Sequence, residues 1–284
     1  MNTETYTDIS DEIKSQYPTM VQSWGIFGMI ILFAVLFIPV FIIHNDAGKE
    51  QMFLVYQLLV WGCTFAYAHR NRKKITGAST YDFNPDSTKV MVLLAVSTIC
   101  ITVSIIHPLV SVIPRPAWLP DLSNNFNFNN PYFIVSIVLV APIMEELVFR
   151  GIILCGLLHK YAPVKSIAFS SMLFGLIHLN PIQFISAFLF GLLAGWIFYR
   201  THKVSLCIFV HFINNFFITL ILLFTSDYET SAFTMTANDY EHYLLYLYIP
   251  LAMAVGAVAI YLLNKEFNKL GRDTAAIPTS HLHI

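Results

Sequence analysis

Eight stretches of this chain are apolar over roughly the 20 residues that a helix needs to cross a hydrocarbon core about 30 Å thick. They fall near residues 24–43, 51–69, 90–113, 132–158, 164–179, 181–200, 204–224 and 242–263. A backbone in lipid must satisfy its own N–H and C=O groups, and segments of this length do so as helices. The expected fold is therefore all-α, a polytopic membrane bundle of about eight transmembrane helices. Composition agrees: 56% of residues are hydrophobic and 12% charged, against about 25% charged in soluble domains. The fifth stretch is the shortest. Pro181 disfavours helix at Asn180, so the fifth and sixth stretches should form a tight helical hairpin.

Charge gives the chain a direction. Of the 16 Lys and Arg residues, fourteen fall in alternate segments and only Lys49 and Arg115 in the others. Basic residues concentrate on the cytoplasmic side, which with eight crossings puts both termini in the cytoplasm and the acidic segment of Asp227, Glu229, Asp239 and Glu241 outside. The expected localisation is a bacterial inner or cell membrane. Residues 1–23 are polar and acidic, unlike the basic start of a cleaved signal peptide. They are read as a cytoplasmic segment, followed by transmembrane helices and an external loop over 24–131, a core over 132–220, an external acidic loop and last helix over 221–264, and a cytoplasmic tail over 265–284. The loop "PRPAWLPDLSNNFNFNNP" is read as external, with Trp118 and its phenylalanines at the interface or as a plain spacer. The four cysteines each stand alone in apolar runs, as small core residues do. A net charge of −1 and a pI near 6.8 give no basic field for nucleic acid.

The apolar runs are interrupted at a few places. The fourth holds Glu145, Glu146 and Arg150, although a charge at bilayer depth costs about 2.5–3.5 kcal/mol on insertion scales. Glu146 and Arg150, four apart, share a helix face in the favourable order, while Glu145 is turned about 100° away. The fifth run places Phe174 and His178 four apart, and the seventh places His211 and Asn215 four apart with Asn214 on another face. Each group alone suits structural packing. Together they call for one lipid-shielded place inside the bundle. On the sixth run Gly191 and Gly195 form a GxxxG that allows close helix packing.

Glu, His, His and Asn without a matching Ser, Cys or Asp suit attack by an activated water. Carboxylate and imidazole accept the water proton, and His and Asn donors stabilise an oxyanion. A metal is the other way to activate that water, with Glu145, His178 and His211 as zinc ligands. The sequence lacks HExxH and asparagine ligates zinc poorly, so the residues favour chemistry that needs no cofactor.

EExxxR at Glu145, Glu146 and Arg150, FxxxH at Phe174 and His178, and HxxxN at His211 and Asn215, in that order on successive membrane helices, resemble the signature motifs of the CPBP (Abi) family. That family comprises the CAAX prenyl endopeptidases of the Ras-converting type with their bacteriocin-processing, bacteriocin-immunity and lysostaphin-resistance-like relatives. The resemblance covers residues 132 to about 220. It implies an intramembrane, metalloendopeptidase-like hydrolase near the cytoplasmic side, acting on a lipidated or apolar peptide or protein, as in CAAX-box maturation. It also implies Glu145 as general base activating water with His178, His211 and Asn215 as the oxyanion site, and Glu146 with Arg150 orienting Glu145. Two other readings stay open: a non-catalytic membrane interaction or immunity protein on the same scaffold, and an ion or proton transporter. The latter is weakened by the absence of repeated halves.

Overall fold

A computed structural model describes residues 16–42, 48–114, 127, 129–225 and 239–275. Most of the expected external loop with Trp118, the loop residues Asp227 and Glu229, the acidic start of the chain and the tail from residue 276 lie outside the described residues. Every regular element among the described residues is helical: α1 (Met20–Ile42), α2 (Lys49–Thr76), α3 (Thr88–Ser111), α4 (Pro131–Leu158), α5 (Pro163–Leu176), α6 (Pro181–Thr201), α7 (Val204–Thr225) and α8 (Asp239–Ala275). Seven are long and apolar enough to cross a membrane, and the eighth, α5, has only 14 residues. At 1.5 Å per residue α5 is about 21 Å long, short of a full crossing by itself. The expected count of eight spans thus becomes seven long helices and one short one.

Helix ends follow local chemistry. Ser87 caps α3 by accepting from Val90 N–H at 3.4 Å, and Asn130 caps α4 by accepting from Tyr132 N–H at 2.9 Å. Asn180 caps α6 through Ile182 N–H at 3.0 Å, side-chain oxygens standing in for the missing helical acceptors. Gly77 ends α2 at φ 75°, a left-handed conformation that returns its N–H to the Lys73 carbonyl. The α5–α6 hairpin forms as expected, and its tightness depends on glycine. A Cβ on Gly191 would stand 2.9 Å from Ser171 Cβ, and one on Gly195 would stand 2.9 Å from Ile167.

One end of the bundle gathers many chain reversals. Tyr17 and Pro18 press on Gly156 near the end of α4, where an added Cβ would collide with Pro18. Tyr81, in the α2–α3 connection, lies against Gly151, and the neighbouring Asp82 carbonyl accepts from Val204 N–H and Ser205 N–H at the start of α7. Lys203 pairs with Asp86 at 3.0 Å, Arg200 binds Asn264 and Asn268 of α8, and Lys89 pairs with Glu266 at 2.6 Å. The starts of α1, α3 and α7 and the ends of α2, α4, α6 and α8 therefore share one face. At the opposite end, buried Glu50 accepts from Asn127 N–H at 3.0 Å and from Asn130 Nδ2 at 3.4 Å.

Candidate active site

The two carboxylates project from the regular turns Ala141–Val148 of α4, which lie between two wider π turns, Ser136–Val140 and Phe149–Leu154. The first π turn has a cause in the sequence. Ala141 N–H reaches back five residues to the Ser136 carbonyl, so the next donor in that register, for Ile137, belongs to residue 142. Residue 142 is proline and has no N–H. The orphaned Ile137 carbonyl is taken instead by Asn215 Nδ2 of α7 at 2.8 Å. At the second π turn, Ser170 Oγ of α5 donates to the Phe149 carbonyl at 3.1 Å.

The same device recurs in α3, where His107 N–H reaches back to the Thr102 carbonyl just before Pro108. Thr102 Oγ1 donates to Asn214 Oδ1 at 2.8 Å, and Asn214 Nδ2 donates to Asn215 Oδ1 at 3.1 Å. A chain of side-chain bonds thus runs from α3 through α7 to α4 and fixes the Asn215 amide. One Nδ2 hydrogen of Asn215 is committed to Ile137 and the other remains for a ligand.

Glu146 and Arg150 are both fully buried. Glu146 Oε1 accepts from Arg150 Nη1 at 2.8 Å and from His211 Nδ1 at 2.8 Å. Arginine offers only donors and a carboxylate only acceptors, so His211 carries its proton on Nδ1 and turns Nε2 outward. Nε2 lies 4.0 Å from Glu145 Oε2, beyond hydrogen-bond reach. Arg150 Nη2 also donates to the Gly191 carbonyl of α6 at 3.3 Å.

Phe174 joins these groups. Its ring lies 4.6 Å from the Arg150 guanidinium carbon and meets His178 and His211 edge-on at 5.6 and 5.7 Å between centroids. Phe190 closes on His211 from α6 at 4.8 Å. The sequence placed His178 on the fifth helix, but α5 stops at Leu176, so His178 lies in the turn. Leu179 follows at φ 51°, and this left-handed residue reverses the chain before Asn180 opens α6.

With α4 ending at Leu158, Glu145 lies about 20 Å from that end and His178 about 22 Å along from the start of α5. His211 is only about 10 Å into α7, since α7 starts deeper, on the Asp82 carbonyl.

Glu145, Glu146, Arg150 and His211 therefore converge, His178 joins them across Phe174, and Asn215 is anchored one turn from His211. Thr102, Asn214, Pro142 and Gly191 were not singled out from the sequence as parts of the site. As a metal set, Glu145, His178 and His211 do not come together: among the described residues no three His, Cys, Asp or Glu side chains are grouped so as to hold an ion.

Residues 127–217 match the family described as type II CAAX prenyl endopeptidase Rce1-like. The chain is 29% identical over 93 residues to the protein named "Putative membrane peptidase YdiL" of Bacillus subtilis (strain 168), covering 33% of this chain and 38% of the relative. It is 24% identical over 127 residues to "Membrane-embedded CAAX protease MroQ" of Staphylococcus aureus (strain USA300), covering 42% of this chain and 49% of the relative. The chain thus spans about half or less of the length of the curated relatives it matches. No solved structure matches it. The matching segment 127–217 carries all six polar site residues, and in this segment the chain is similar to the Rce1-like type II CAAX prenyl endopeptidases.

Proposed function

We propose that this protein is an intramembrane endopeptidase that hydrolyses a peptide bond with a water activated by Glu145, on a lipidated or apolar peptide. The observation that carries this reading is the facing pair Glu145 Oε2 and His211 Nε2. They are 4.0 Å apart, too far to bond each other, and both can accept from a water lying beside them. Glu145 takes the water proton as the oxygen attacks the scissile carbonyl, and the resulting oxyanion is met by the second Nδ2 hydrogen of Asn215 and by a ring N–H of His178. Collapse of the intermediate breaks the C–N bond, and Glu145 returns its proton to the leaving amine. Glu146 fixes the His211 tautomer, and Arg150 fixes Glu146.

In this reading His211, rather than His178, is the partner of Glu145, which departs from the roles implied by the family resemblance. No metal is required. The relatives' printed names, a membrane peptidase and a CAAX protease, support the reaction class. The test is cleavage of a panel of prenylated CAAX peptides and apolar leader peptides by purified protein, with and without a chelator, read by mass spectrometry. Cleavage that resists the chelator and is absent in Glu145→Gln is the expected result. Cleavage by Glu145→Gln would remove the proposed base, and loss of activity with chelator would replace the metal-free route.

A further inference from the structure

A second feature runs along one face of α8, where two adjoining cavities share two residues and the lower one is walled by α6. The upper one, about 330 Å³, is lined by Tyr261, Asn264, Lys265, Asn268 and Lys269. The lower one, about 540 Å³, is lined by Trp196, Ala257 and Ile260 and shares Tyr261 and Asn264 with the first. The upper cavity lies at the end of the apolar span Tyr248–Lys269 and the lower one nearer its middle.

The polar atoms of the upper cavity are sorted by chemistry. Arg200 Nη1 and Nη2 bond Oδ1 of Asn264 and Oδ1 of Asn268. Because arginine only donates, it holds both amide oxygens toward itself and leaves both Nδ2 groups facing away. Lys265 and Lys269 line the same cavity as these two asparagines. Glu266, the acidic residue of this turn, is engaged by Lys89 at 2.6 Å and by Lys269 at 3.1 Å and does not line the cavity. Lys265 has no ion pair among the described residues. A group of donors with surplus positive charge, directly above an apolar slot with a tryptophan wall, matches an amphiphile with an anionic head. Basic pockets between membrane helices take such headgroups.

We propose that this groove is a binding site for an anionic phospholipid, with its phosphate on Lys265, Lys269 and the two asparagine amides and an acyl chain along Trp196, Ala257 and Ile260. The site uses none of the residues assigned to hydrolysis and stands independently of the protease reading.

Native mass spectrometry of the full chain in uncharged detergent tests it, with phosphatidylglycerol and phosphatidylcholine of identical acyl chains as probes. Phosphatidylglycerol should be retained roughly tenfold better. Lys265→Gln/Lys269→Gln should bring it to the phosphatidylcholine level, while Lys73→Gln/Lys74→Gln, which removes the same charge from the end of α2, should retain the preference. Excess inorganic phosphate should not displace the lipid. Equal retention of the two lipids by the unaltered protein overturns the proposal without recourse to any variant. So does an equal loss in the Lys73/Lys74 variant, which would mean diffuse attraction, or displacement by phosphate, which would mean a free-anion site.

Discussion

Arg150 is the largest fully buried side chain among those described, and Glu146 is the one carboxylate it bonds. Removing one member of a buried pair strands the other charge, at a cost of about 3–5 kcal/mol. Arg150→Met should therefore lower the melting temperature in detergent markedly, whereas Glu145→Gln, at a carboxylate that accepts no hydrogen bond among the described residues, should leave it nearly unchanged. The double variant Glu146→Leu/Arg150→Met should recover much of the stability and none of the activity, because His211 loses the acceptor that fixes its tautomer. A double variant no more stable than Arg150→Met would mean that stranded charge is not the cause. These residues could be read from the sequence because a charge inside an apolar run has few explanations. Thr102 and the Gly191 carbonyl could not, since a hydroxyl that can return to its own helix and a backbone oxygen leave no mark in composition or spacing.

The π turns of α4 act on the site at the scale of a whole helix. Replacing Pro142 with alanine supplies the N–H that the Ile137 carbonyl lacks, and this donor competes with Asn215 Nδ2 for the same oxygen. Pro142→Ala should keep or raise the melting temperature while lowering turnover several-fold, as the Asn215 amide loses its anchor; unchanged turnover would mean that this anchor does not position Asn215. Apolar periodicity located every helix but could not reveal these features, because a π turn adds a residue without interrupting the run. It also could not place the end of α5, where two apolar residues, Ile177 and Leu179, flank His178 in the turn. The end of α4 was legible, because the apolar run continues past Arg150, which is paired and buried, and the helix ends at Leu158.

Across the whole molecule, the short α5 decides the parity of the topology. Seven long spans alone would leave Tyr17 and Asn268 at opposite ends of the bundle, yet Tyr17 touches Gly156 near the end of α4 and Asn268 binds Arg200 beside the start of α7. The hairpin of α5 and α6 supplies the extra reversal, with the Tyr161–Ala162 connection and the turn after Leu176 completing the path that 14 helical residues leave short. The face that results holds Arg70, Arg72, Lys73, Lys74, Lys89, Lys160, Arg200, Lys203, Lys265 and Lys269, whereas Lys49 lies at the other end with Glu50. The charge bias of membrane proteins predicts that the first face is cytoplasmic. Single cysteines introduced at Lys74, Lys265 and Lys49, with the four native cysteines replaced, test both parity and direction. In intact cells an impermeant maleimide should label position 49 and spare 74 and 265, and permeabilisation should expose all three. Labelling of 74 and 265 with protection of 49 would reverse the direction but keep the parity. Opposite behaviour of 74 and 265 would mean that the α5 hairpin does not carry the chain across, and would move the Glu145 site out of the shielded interior that its chemistry requires.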